Sequence, residues 1–425
     1  GGAGWSGLGL PVFAETCGGG LGWGAILPHT AANADGGRIV MRDFPDVPLR
    51  PFGYFVHHQG RGHAERCAAL VNALPEARPV RIFCARDDIF PPLRDNVTVQ
   101  KLPSLFEAQG DEPHGAALLD TPDTTHCAPV GWSGIRDAMA AMTQFFAAEA
   151  PELMIVDVSA EVAQLARLCS VPHVKILQHG DRSDAGHCAA YDGAAGLLAP
   201  FHADLAQESW RAWAEKIHYA PGLGVNVSLP KSDDARGTLK LGKRPMALVV
   251  CGGGGNGISE AALGVAARSY PQMDWITIGE VQRDWHATLP PNLIHKGWVD
   301  NAPDYIAAAD LVISSTGNTT CAQVLTAAKP WIVVPEWRYF DEQVEKACAL
   351  GQAGAALHLP HMPSSAHAWQ AAVEHAQNQH DPARQRALAG GSNAATRTAQ
   401  WLGNLADRLW DRTEISTSLK EVHHA

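Results

Sequence analysis

Three strand-to-helix turns in this chain place glycines, hydroxyls and one histidine where an anion and a reacting hydroxyl could be handled. In DLVISSTGNTTCAQVL an apolar strand, Leu311–Ser314, runs into the small-residue turn Ser315–Gly317, and a helix opens at Asn318–Thr320. The first N–H groups of a helix have no partner inside it, and its dipole is positive there. Asn318, Thr319 and Thr320 therefore offer a seat for a diphosphate, and Gly317 lets such a ligand approach the backbone. Thr320 and Gln323 also fit a T-x-x-Q capping box, which would spend both on closing the helix start.

In MALVVCGGGGNGISEA the glycines Gly252–Gly255 leave N–H groups uncovered after a second strand. Gly253 and Gly254 make a nest for an anion, with Asn256 and Ser259 as side-chain donors. A tight strand–helix turn is the plainer explanation. The spacing fits neither a P-loop nor the GxGxxG fingerprint, which disfavours an ATPase and a dehydrogenase.

In GYFVHHQGRGHAERCAAL, Gly60 and Gly62 keep the turn tight and His63 falls at or near the helix start. The positive helix end disfavours a further charge, so a neutral imidazole there could accept a proton from a hydroxyl or a water. Capping, or a bare phosphate contact, is the alternative. Arg61 and Arg66 could meet a diphosphate or stay in solvent. Asp157, at a strand end in MIVDVSAEV, and Asp181, in KILQHGDRSD, could orient His63 or act as a second base. Asp157 could equally cap a helix beginning near Ala160. In PEWRYFDEQVEK, Glu336, Asp341, Glu342 and Gln343 suit bidentate bonds to sugar hydroxyls, although a charged helix start needs no ligand. Trp298 could flank a base or sit in the interior.

Strands apolar on both faces must position these turns: Gly53–His57, Val80–Ala85, Leu153–Val158, His173–Gln178 and Gly196–Ala199, then Met246–Cys251, Trp275–Gly279, Leu293–Lys296, Leu311–Ser314, Trp331–Val334 and Ala355–Leu359. Helix-length gaps between them predict an α/β chain of two doubly wound, Rossmann-like domains facing across a cleft. The expected divisions are an N-terminal extension at 1–52, a first domain at 53–222, a linker at 223–244, a second domain at 245–385, and a segment at 386–425 whose helix packs back before a frayed tail. The extension is Gly-rich, lacks the basic start of a secretory signal, and reads as flexible.

A 425-residue chain can bury two cores, and a formal net charge of −11 argues against nucleic acid. Nine scattered cysteines without ligand spacing suggest reduced thiols, hence a cytoplasmic protein with no metal. No apolar run is long enough for a membrane span, which leaves room for peripheral membrane contact only.

The second half resembles the C-terminal domain of family 28 glycosyltransferases, the MurG-like group with a GT-B fold. The resemblance lies in the Gly252–Gly255 turn, in GWVDNAPDYIAAADLVISSTGNTT (Gly297–Thr320) and in KPWIVVPE…DEQVEKA (Lys329–Ala347). GRGHAER and the Asp157 region resemble the group's N-terminal domain more loosely. The resemblance implies that His63 lies near acceptor and diphosphate, Gly317–Thr320 takes the diphosphate, and Trp298–Val299 hold uracil through the main chain; Gly62 is a further candidate for the diphosphate. It also implies that Glu342 and Gln343 contact the donor sugar. Gln323 stands where the group often has a glutamate for the ribose.

The expected activity is an inverting, metal-independent transfer, without cofactor, from an NDP-sugar, by preference a UDP-sugar, to an unidentified hydroxyl acceptor. The alternatives are a UDP-sugar hydrolase of the same fold, since GRGHAERC also resembles the hydrolases of nonulosonic acid synthesis, and a noncatalytic nucleotide-sugar-binding subunit.

Overall fold

Seven short runs form the first sheet: Phe52–Phe55 (β1), Val80–Cys84 (β2), Val97–Lys101 (β3), Leu153–Val156 (β4), His173–Ile176 (β5), Gly196–Ala199 (β6) and Ile217–Tyr219 (β7). The description comes from a computed structural model and covers residues 49–252, 258–283 and 288–411. Most of the extension expected at 1–52, the frayed tail, and Gly253, Gly254 and Asn256 lie outside the described residues. The described residues form one compact unit.

The sheet order is β3-β2-β1-β4-β5-β6-β7, with parallel neighbours throughout. The helices that return the chain are Arg61–Ala73 (α1), Ser133–Glu149 (α2), Ala160–Leu168 (α3) and Ala185–Gly193 (α4). Strands β1, β4, β5 and β6 are buried along their whole length, so Val, Ile, Leu and Phe face helices on both sides.

After a short helix, Ser232–Thr238 (α5), the second sheet begins with Met246–Val250 (β8). A minor parallel pair, Ile258–Ser259 (β9) and Val281–Gln282 (β11), flanks it. The remaining strands are Asp274–Ile278 (β10), Leu293–His295 (β12), Leu311–Ser314 (β13), Trp331–Val333 (β14) and Leu357–His358 (β15). Their order, β12-β10-β8-β13-β14-β15, repeats the winding of the first sheet. Around them run Glu260–Ser269 (α6), Ala302–Ala308 (α7), Asn318–Ala327 (α8), Glu342–Gln352 (α9), Ala366–Asn378 (α10), Pro382–Ala389 (α11) and Ala394–Leu409 (α12).

In both sheets the chain starts centrally, winds one way, then restarts beside its first strand. The crevice at that reversal is where open α/β sheets bind ligands. It falls between β1 and β4 in the first sheet and between β8 and β13 in the second. The turns that carry His63, Asp157, Gly252 and Gly317 all leave these four strands.

One apolar cluster runs from Tyr191, Phe201, Leu205 and Trp210 to Val324, Leu325, Leu350 and Leu388, so the two sheets share a floor. Helix α12 crosses back to the first sheet, where Leu402 and Leu405 join Phe52 and Tyr54. No helix among the described residues is long and apolar enough to cross a membrane.

Candidate active site

Strand β1 delivers the chain to Gly60, whose φ of 86° suits glycine, and α1 starts at Arg61. His63 is thus in the first turn of the helix. Its Nδ1 lies 2.6 Å from Asp157 Oδ2, just past the end of the neighbouring strand β4. A carboxylate only accepts, so Nδ1 donates to it, and in the neutral ring the lone pair is on Nε2. This is the arrangement a general base requires.

Asp157 is fully buried, and Arg66 fixes it. Arg66 Nη2 donates to Oδ1 at 3.0 Å and to Oδ2 at 2.8 Å. Burial alone would raise the Asp157 pKa, but Arg66 and then His63 hold the group well below the usual carboxylate range. Arg66, one turn beyond His63 on the same helix face, is 3% exposed and is therefore neither solvated nor a diphosphate ligand. Asp157 does not cap α3; Ser159 does, accepting from the Val162 N–H at 3.1 Å. Asp181 stands apart from this pair, its carboxylate occupied by the Ser183 hydroxyl at 2.6 Å.

Arg66 Nη2 also lies 3.0 Å from His63 Nδ1, and beyond this charged pair the neighbours of the ring are aromatic. His57 lies edge-on to both His63, at 5.4 Å, and Phe106, at 4.8 Å between centroids. Burial, then the nearby His63, pushes the His57 pKa down to about 4.

In the second sheet α8 begins at Asn318 with Gly317 as its N-cap and no side-chain cap. The first helical bond runs from Cys321 N–H to Gly317 C=O, which leaves the N–H groups of Asn318, Thr319 and Thr320 without an intrahelical acceptor. Gly317 is exposed, and a Cβ there would meet nothing within 4 Å. The capping box is not formed. Thr320 lies inside the helix, where helical backbone angles prevent its acting as an N-cap, and the buried Gln323 instead donates to Asn226 C=O at 3.5 Å. Asn226 belongs to the segment that passes α1, where Gly224 packs directly on the Arg66 backbone. The second turns of α1 and α8 therefore approach the same short piece of chain.

Glu336 is the third residue after β14. One carboxylate oxygen meets Arg338 at 3.2 Å; the other, Oε1, is buried with no partner. Gln343 is buried in a bracing role, its Oε1 accepting from Glu336 N–H at 2.8 Å and Thr316 N–H at 3.5 Å. It ties the Glu336 loop to the turn at Thr316.

Phe340 and Asp341 both have left-handed backbones, with φ of 62° and 53°. Phe340 reaches across to the first sheet. Its carbonyl accepts from Asp181 N–H at 2.7 Å, and the Arg182 guanidinium stacks 4.5 Å from its ring. Glu342 extends the same contact, 4.0 Å from Arg182. Trp298 is 66% exposed, contrary to an interior role, while Val299 packs on the shared floor.

Sequence spacing gave no sign of one further cluster, because His126 comes from a distant loop while Asp184 and His187 share the start of α4. His126, Asp184 and His187 have metal-ligand atoms within 4.8 Å of one another. His187 is already held, however, between Asp184 at 2.6 Å and the Arg182 guanidinium at 3.3 Å, and a guanidinium there opposes a cation.

Residues 278–400 match the glycosyltransferase family 28 C-terminal domain. No curated protein matches the chain in sequence. Several solved structures share its fold. The calicheamicin glycosyltransferase CalG4 aligns with a TM-score of 0.57 at 14% identity over 85% of this chain and 99% of its own. MurG of Acinetobacter baumannii aligns with 0.54 at 15% identity over 84% and 100%. Phytolacca americana UGT2, complexed with UDP-2fluoro-glucose and pterostilbene, aligns with 0.58 at 13% identity over 84% and 100%.

Proposed function

We propose that this chain, whose residues 278–400 match the glycosyltransferase family 28 C-terminal domain and whose fold is shared with GT-B glycosyltransferases, catalyses an inverting, metal-independent transfer from a UDP-sugar to a hydroxyl acceptor. The observation that carries the proposal is the 2.6 Å bond between His63 Nδ1 and Asp157, at the reversal point of the first sheet.

In this reading Nε2 of His63 removes the acceptor proton as the oxygen attacks the anomeric carbon. The nucleoside diphosphate leaves from the opposite face, so one displacement inverts the centre. Asp157, kept ionised by Arg66, stabilises the imidazolium that forms. The departing charge falls on the free N–H groups of Asn318, Thr319 and Thr320 and on the positive end of α8, which take the part a divalent cation plays elsewhere. Glu336 Oε1 accepts from a hydroxyl of the donor sugar, with Asp341, Glu342 and Gln343 shaping its surroundings. Trp298 lies against the base, Val299 bonds it through the main chain, and Gln323 stands below the ribose. The eight described cysteines are free, which agrees with a reducing, cytoplasmic setting.

The test is His63→Ala. Turnover of a UDP-sugar should fall by roughly 10²- to 10⁴-fold, while the thermal shift given by UDP without metal is retained. Undiminished turnover would remove His63 from the mechanism. Release of UDP and free sugar at full rate without any acceptor would make water the true acceptor. Binding of UDP with no turnover on any acceptor would make the protein a noncatalytic binder.

A further inference from the structure

The strand that carries the carboxylate of the pair ends in a turn its residues do not favour. Val158 follows Asp157 with a φ of 63°, an outlier for a β-branched side chain. Ser159 N–H donates to Asp157 C=O at 2.8 Å, so the three residues close an i→i+2 turn with positive φ at its centre, the rare and strained form of γ-turn. Both sides of the turn are fixed. Asp157 N–H still donates to Phe55 C=O at 3.0 Å, and Ser159 is committed to capping α3.

The Val158 carbonyl lies past the end of the sheet ladder. Lys175, in the middle of the adjacent strand β5, receives it: Nζ donates to Val158 C=O at 2.8 Å, with a longer contact of 3.5 Å to Ile176 C=O. The side chain is 1% exposed, in a strand otherwise built of β-branched residues and a histidine. Burial pushes its pKa down to about 7. The Asp157 carboxylate acts most strongly against that and Glu161 less, while Arg182 and Arg66 add to the lowering.

We propose that Lys175 is a positioning residue: it holds the strained Val158 turn in the form that aims Asp157 at His63. The inference rests on the reading of His63 and Asp157 as the proton-accepting pair. Lys175 touches no reacting atom. It supplies the donor that holds the Val158 carbonyl.

The experiment follows the proton on His63 Nδ1 in the ¹⁵N-labelled full chain, where a short bond to a carboxylate gives a far-downfield resonance. In Lys175→Met that resonance should move upfield or broaden into exchange. UDP-sugar turnover should fall by roughly 10- to 100-fold, the scale of a small misplacement at a reacting group, with UDP binding unchanged. Adding Val158→Gly should restore much of both, because glycine adopts positive φ without strain. Lys175→Gln, which keeps a donor for the Val158 carbonyl, should retain the resonance and covers the case in which the Met variant does not fold. A resonance and turnover indifferent to Lys175→Met, or a loss equally large with and without Val158→Gly, would overturn the role. Absence of the resonance in the unsubstituted protein would remove the His63–Asp157 pair itself.

Discussion

Arg66 holds Asp157 through a single nitrogen, Nη2, which reaches both carboxylate oxygens in a site where neither side chain meets solvent. Replacing the carboxylate by Asp157→Asn leaves that guanidinium buried and uncompensated. Unfolding in urea should show a loss of about 3–5 kcal/mol. The same pair sets an acid limit. A folded pKa held below the unfolded value of about 3.9 gives stability that is complete above that pH and is lost as pH falls through the folded value. Stability should therefore be insensitive to this group from pH 5 to 8 and fall away only below about pH 4. Asp157→Asn should flatten the acid arm; an unchanged acid arm would show that other carboxylates govern it.

Gly317 stands at the start of α8 although its backbone, at φ −58°, does not demand glycine. Gly317→Ala should leave stability within about 1 kcal/mol. If a diphosphate sits on the N–H groups behind it, the added methyl should weaken UDP binding by roughly tenfold or more, the scale of one charged hydrogen bond. Calorimetry that gives equal UDP affinity for both proteins would move the diphosphate elsewhere.

Glu336 keeps one buried oxygen without a partner. Such an atom costs stability unless a ligand satisfies it. Glu336→Gln should lower kcat/KM for the donor about 10- to 100-fold, in line with a hydrogen bond to a charged group, and should raise rather than lower the melting temperature of the unliganded protein. Equal donor kinetics in the two proteins would exclude contact with the sugar.

Gly180, at φ 125°, lies where an added Cβ would come within 2.6 Å of the Phe340 carbonyl. Gly180→Ala strains the backbone and displaces that carbonyl from the Asp181 N–H. A loss of about 1–3 kcal/mol is expected by urea unfolding. Wild-type stability would mean that this cross-cleft contact yields freely.

Much of the frame was legible because the central strands are continuous apolar runs bounded by turns. Gly196–Ala199 and Leu311–Ser314 agree at both ends. What escaped were edges. Val97–Lys101 pairs on one side only and alternates with polar residues, and Ile217–Tyr219 is three half-buried residues long. At the site, His63 and Asp157 were legible as chemistry, since each type sits just past a strand end. Their pairing waited on the winding order that makes β1 and β4 neighbours. Arg66 misled because an arginine near a glycine turn suggests phosphate, and only burial reveals its carboxylate partner. Lys175 carried a visible signal, a lone charge inside HVKIL, but its partner is a main-chain carbonyl, which no side-chain pattern announces.

The return of α12 has a consequence for synthesis. The Trp401 ring lies against Gly196 where a Cβ would come within 2.8 Å, and Trp410 Nε1 donates to Glu152 C=O at 3.0 Å. The first sheet is thus finished by residues made after every strand of the second. While the ribosome is still building the second sheet, the face of the first that awaits Leu402 and Leu405 stays open to water and to other chains. The nascent protein must therefore pass through a stage in which its younger half can already be folded and its older half cannot.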